Sequence, residues 1–173
     1  MGRPETEAIR LLAETGQATT APVDIEAVAR HLGAQVVEEK LDRSVSGMLY
    51  RDGEHVIIGV NSAHVDRRRR FTVAHEVGHL VLHKGRPLVL DHVRVNFRDT
   101  NSSTASDLEE IQANAFAAEV LMPRDQVIAA AKKLLDDRTI TEAATIEYLA
   151  QGFDVSDQAM EYRLINLGLR RQV

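Results

Sequence analysis

A chain of 173 residues, 44% hydrophobic and 27% charged, is long enough to bury a core of its own and suits one globular domain, with at most a small appendage. It has no cysteine, which excludes disulfides and leaves His, Asp and Glu to hold any metal. A net charge of −5 argues against a dedicated nucleic-acid binder. With no apolar leader and no apolar run near the ~18 residues of a membrane span, a cytoplasmic protein is the expectation.

In chain order, ETEAIRLLAET (5–15) reads as a helix with Ile9, Leu11 and Leu12 on one side. A linker over 16–22 leads to Asp24, which caps a second helix, IEAVARHLG, with Ile25, Val28, Ala29 and Leu32 at helical spacing and Gly33 as its stop. AQVVEEKL reads as a strand. SVSGMLYRDGEHVIIGVN reads as a hairpin with arms 46–50 and 55–61 and a turn at Arg51-Asp52-Gly53. A helix over about 66–83 follows, ended by Gly85 and Pro87, and the alternation of Val93, Val95 and Phe97 marks a short strand. Residues 99–106 are polar and read as a loop. The alanine-rich helix DLEEIQANAFAAEVLM ends near Met122, because Pro123 disfavours helical geometry in the residue before it; Pro123 then opens RDQVIAAAKKLL. Helices over about 141–151 and 156–167 complete the chain. These elements predict an α+β fold: a small twisted sheet packed on the 66–83 helix and on further helices, with a helical C-terminal segment. Residues 1–135 are expected to form the main unit and 136–173 a helix-turn-helix-like segment.

The chemistry concentrates in the stretch RRRRFTVAHEVGHLVLHKG (67–85). Residues four apart on a helix stand about 40° apart in angle and ~6 Å apart along the axis. His75 and His79 can therefore offer imidazole nitrogens to one ion. Glu76 lies to the side, where its carboxylate reaches water activated by that ion. Two imidazoles, one carboxylate and an open position suit catalytic zinc. Gly78, inside the helix, costs about 1 kcal/mol relative to alanine, which signals a close approach there. His83 stands ~12 Å from His75 along a straight helix, too far to share the ion, and is expected to pack or to support a ligand.

A carboxylate ligand is sought downstream. Ala113, Asn114 and Ala117 follow Glu110 by three, four and seven positions and make a face of small residues, which lets two helices approach closely. Glu110 is thus the best third ligand. Glu109 sits about 100° off that face and Glu119 about 900° of helical turn from Glu110, so both are expected to face solvent. Asn114, one turn from Glu110, either orients a ligand or is satisfied elsewhere.

With these motifs assembled, the chain resembles the ImmA/IrrE family of bacterial metallopeptidases. The matching segments are APVDIEAVARHLGAQV, SGMLYRDGEHVIIGVN, RRRRFTVAHEVGHLVLH and EIQANAFAAEVLMP, in the family's order, over most of residues 20–125. The resemblance implies a gluzincin-like, zincin-type core and a zinc-dependent peptidase. In it Glu76 is the catalytic base, and Glu110, which opens the E-x-x-A-N-x-F-A motif, is the third ligand beside His75 and His79. It also implies a substrate of a particular kind: a helix-turn-helix repressor from a phage, mobile-element or stress regulon.

Several features bear on substrate and partners. Tyr50 and the loop 99–106 are weak candidates for stabilising the oxyanion, and the arm 55–61 is either a sheet edge open to a substrate strand or an ordinary internal strand. Arg67 to Arg70 make a basic run, read as a solvated helix face or a steering patch for an acidic partner. The segment IEYLAQGFDVSDQAMEYRLINLGL has helix-turn-helix character with a turn at Gly152. Residues 139–173 hold five acids against three bases, which favours packing or partner docking over DNA binding. The leading expectation is a zinc endopeptidase that inactivates a helix-turn-helix repressor. The alternative is a non-catalytic regulator that binds a repressor or DNA and keeps the zincin fold as scaffold.

Overall fold

The computed structural model describes residues 2–53, 55–83, 87–92, 105–135 and 140–169. Helix α1 (Arg3–Glu14) buries Pro4, Ala8, Leu11 and Leu12. Ile9, expected beside Leu11 and Leu12, is instead 41% exposed, because Ala8 takes the i, i+3, i+4 position that completes the stripe. Helix α2 (Ile25–His31) begins as expected: the Asp24 side chain accepts the Ala27 N–H at 2.9 Å, and Gly33 follows its end with φ 77°.

Strands β1 (Ala34–Glu39), β2 (Val45–Asp52), β3 (His55–Asn61) and β4 (Leu88–His92) form one mixed sheet in the order β1-β3-β2-β4. β3 runs parallel to β1 and antiparallel to β2, and β2 runs antiparallel to β4. The hairpin is tighter than its sequence implied: Asp52 pairs with His55, and the reversal falls at Gly53, whose φ is 52°. β3 is hydrogen-bonded on both sides, so the arm 55–61 is an internal strand and the edges are β1 and β4. The expected strand through Val93, Val95 and Phe97 lies outside the described residues.

Helix α3 (Asp66–Leu82) crosses the sheet, and its middle is buried on every side, from Thr72 to His79. It is a central helix, with β2 and β3 on one side and α4 (Ala105–Leu121) on the other. Helix α5 (Arg124–Leu135) starts directly after Pro123. Helices α6 (Glu142–Phe153) and α7 (Asp157–Asn166) are capped by Thr141 and Ser156. The turn between them is not at Gly152. It is at Asp154, in the left-handed region with φ 51°, where a short polar side chain is tolerated.

One core runs through these layers. Leu49 and Ile58 of the sheet, Val77 of α3, Phe116 and Val120 of α4, and Leu149 and Met160 of α6 and α7 all belong to it. The arginine run of α3 is spent on holding neighbours together. Arg67 and Arg70 reach the Asp154 carboxylate at 3.4 and 3.1 Å, and Arg70 also donates to the Val23 carbonyl. Arg69 pairs with Asp66 and Glu38, and Arg68 donates to Ser46 Oγ at 3.4 Å. No helix among the described residues is long and apolar enough to cross a membrane.

Candidate metal centre

The centre forms where α3 and α4 touch. A Cβ built on Gly78 would lie 3.1 Å from both Ala113 Cα and Ala113 O and 3.2 Å from Phe116 Cδ1. Glycine on one helix and alanine on the other therefore set the separation of the two backbones, and that separation brings Glu110 onto the histidine face of α3.

His75 Nε2 and His79 Nε2 stand 3.1 Å apart. Glu110 presents Oε2 to His75 Nε2 and Oε1 to His79 Nε2, each at 3.3 Å. Donors on a tetrahedral ion with bonds of about 2.0–2.1 Å are separated by roughly 3.3 Å, so the spacing fits zinc. The tautomer fits as well. His75 Nδ1 lies 3.0 Å from Asn114 Oδ1, which only accepts, so His75 carries its proton on Nδ1 and turns a bare Nε2 to the site. Burial alone would raise the Glu110 carboxyl, but when His75 and His79 are protonated at Nε2 and no metal is bound, their hydrogen bonds and positive charge outweigh it and hold the group well below the usual carboxylate range. His75, His79 and Glu110 are the group able to hold a metal ion among the described residues.

Glu76 is fully buried beside this triad. It lies under β2, where a Cβ on Gly47 would collide with Thr72 Cγ2 and stand 3.1 Å from Glu76 Oε1. Arg51, from the same face of β2, donates to the His79 carbonyl at 2.8 Å. Burial pushes the Arg51 guanidinium down, and the negative charge of Glu76 opposes that shift. A fully buried carboxylate thus lies within reach of the Arg51 charge, which offsets part of the cost of burying it.

A model of the IrrE N-terminal-like domain, peptidase family M78, matches residues 29–165. The chain belongs to this family. A relative in sequence is the uncharacterized immunity region protein 2 of Bacillus phage phi105, 28% identical over 133 residues that cover 75% of this chain and 78% of the phage protein. Among solved structures, the fold is similar to that of a Mycobacterium tuberculosis transcriptional regulator, with TM-score 0.63 and 20% identity. That likeness covers 95% of this chain, which spans 47% of the mycobacterial one.

Within the M78 chain, the remaining sequence candidates fall in different places. His83 caps α3; its Nε2 donates to the Glu109 carbonyl at 3.1 Å and its ring lies 5.3 Å from that of His79. It ties the two ligand-bearing helices together and is not among the converging donors. Tyr50 is 39% exposed and alternates with the inward Leu49 and Arg51, so it faces away from α3 and the metal centre. Of the loop 99–106, residues 99–104 lie outside the described residues, and Ala105 already opens α4. Glu119 contradicts its expected exposure: it lies away from the His75–His79–Glu110 group, but α5 and α7 cover that side. Its Oε1 caps Arg124 N at 3.0 Å and its Oε2 pairs with Arg163.

Gly47 and Arg51 were missed by sequence reading. A glycine inside a strand pattern is itself a sign of close backbone approach, and Gly47, Leu49 and Arg51 share the period-two face that meets α3.

Proposed function

We propose that this chain is a zinc-dependent endopeptidase that cleaves, and so inactivates, a helix-turn-helix transcriptional repressor. The observation that carries the reading is the convergence of His75 Nε2, His79 Nε2 and both Glu110 oxygens at 3.1–3.3 Å beside the buried Glu76 carboxylate. His75, His79 and Glu110 would hold a zinc ion, which when bound would supply Lewis acidity to polarise the scissile carbonyl and lower the pKa of water to about 7. Glu76 accepts the proton of the attacking water and hands it to the departing amine. Asn114 keeps the His75 tautomer fixed throughout, and the packed strand β2 excludes bulk water from Glu76.

A repressor as substrate is supported by the relation to a phage immunity region protein and by the fold shared with a protein described as a transcriptional regulator. Helices α6 and α7 have helix-turn-helix form but an acidic balance, so we assign residues 136–173 to docking and not to DNA binding. Where a helix-turn-helix repressor is found encoded beside its gene, incubating that repressor with the zinc-loaded protein should yield two discrete fragments by mass spectrometry. A chelator should stop the reaction and added zinc should restore it. Repressor left intact under all conditions contradicts the proposal.

A further inference from the structure

The geometry points to Arg51 as the residue that positions His79 for metal binding, an inference that rests on the metal-site reading above. The two imidazoles are held differently. His75 is oriented through its ring, by the bond from Nδ1 to Asn114 Oδ1 at 3.0 Å. His79 is 1% exposed, and its buried Nδ1 has no hydrogen-bond partner among the described residues. Metal-ligating histidines ordinarily have such a partner, and losing it weakens binding by about 10- to 100-fold. Among the described residues, then, what holds the His79 ring acts other than through Nδ1.

Its backbone is what the structure fixes. Arg51 Nη2 donates to the His79 main-chain oxygen at 2.8 Å, from a strand whose own position is set by pairing on both sides. The Arg51 backbone is tied down as well, its N–H donating to the Pro87 carbonyl at 2.7 Å. The same His79 oxygen accepts His83 N at 3.1 Å, so the last turn of α3 stays wound while a cation meets its negative end. Gly78, one residue earlier, is wedged against Ala113. With the backbone pinned from β2 and from α4, the ring is left little freedom between His75, 4.7 Å away centroid to centroid, and His83 at 5.3 Å. Arg51 does for His79 through the main chain what Asn114 does for His75 through the ring.

The test compares Arg51→Met, Arg51→Lys and Asn114→Ala with the unaltered full chain. Zinc affinity is measured by competition with a chromophoric chelator, metal geometry by the visible absorption of the cobalt-loaded protein, and folding by circular dichroism. Arg51→Met should weaken zinc binding by about 10- to 100-fold, comparably to Asn114→Ala, and shift the cobalt bands at full loading. Arg51→Lys should fall between Arg51→Met and the unaltered chain, since it keeps the charge and loses the planar fork. A merely structural role would lower the thermal midpoint and leave the cobalt spectrum of the folded protein unchanged. Zinc affinity and cobalt bands equal to those of the unaltered chain in Arg51→Met (or in Arg51→Lys, should the first not fold), with Asn114→Ala weakened, overturn the role of Arg51 alone. An unaltered chain that binds no zinc overturns the metal-site reading and this inference with it.

Discussion

Adding one methyl group at Gly78 pits two effects against each other. Alanine is favoured over glycine in a helix by about 1 kcal/mol. The new Cβ, however, would stand 3.1 Å from the Ala113 backbone, which cannot turn aside as a flexible side chain does. Overpacking of this kind costs about 1–3 kcal/mol, so the net effect of Gly78→Ala is a loss of up to about 2 kcal/mol. The same push moves Glu110 away from the histidines, so the variant should lose zinc affinity as well as thermal stability. Denaturant unfolding with and without zinc separates the two. A more stable variant with undiminished zinc binding would show that the contact between α3 and α4 does not set the site. Gly47 obeys the same steric logic under β2, against Thr72 and Glu76.

At the scale of elements, α4 connects the metal centre to the C-terminal helices. One end of it carries Glu110. The other end carries Glu119, 3% exposed, which pairs with Arg163 of α7, while Arg163 also donates to the Met122 carbonyl at 3.0 Å. Asp154, between α6 and α7, is gripped by Arg67 and Arg70 of α3. The C-terminal pair of helices is therefore fastened to both ligand-bearing helices. Arg163→Met leaves Glu119 as an uncompensated buried charge and should cost about 3–5 kcal/mol, a range in which breaking buried pairs commonly falls. The double variant Arg163→Met with Glu119→Met should recover most of that loss. A single variant as stable as the unaltered chain would mean that the pair does not clamp α7 to α4.

For the molecule as a whole, what could be read from the sequence was whatever depends on near neighbours in the chain. The Asp24 cap, a reversal at Gly53, the end of α4 before Pro123 and the placing of His75, Glu76 and His79 on one helix all follow from spacings of a few residues. The small face of Ala113, Asn114 and Ala117 even pointed to Glu110 across a gap of 31 positions after His79, because a close helix contact leaves a compositional trace. Burial by an element far along the chain left no such trace. Nothing near Glu119 announces Arg163, 44 residues on, and nothing near Arg51 announces the His79 carbonyl. The four arginines of α3 read as a solvated run because, Asp66 apart, their partners Ser46, Glu38, Val23 and Asp154 lie far from them in the chain.

Glu76 is the motif residue that acts on water while leaving the metal to others, so its replacement by glutamine isolates chemistry from folding. Glutamine nearly preserves the volume and has similar helix propensity, and His75, His79 and Glu110 all remain. The decisive measurement takes zinc content, repressor binding and repressor cleavage from one preparation of Glu76→Gln. One zinc per chain and normal binding, with cleavage reduced by about 10²-fold or more, is the result the peptidase account predicts. Undiminished inactivation of the repressor by this variant would contradict it and favour a scaffold that acts by binding alone.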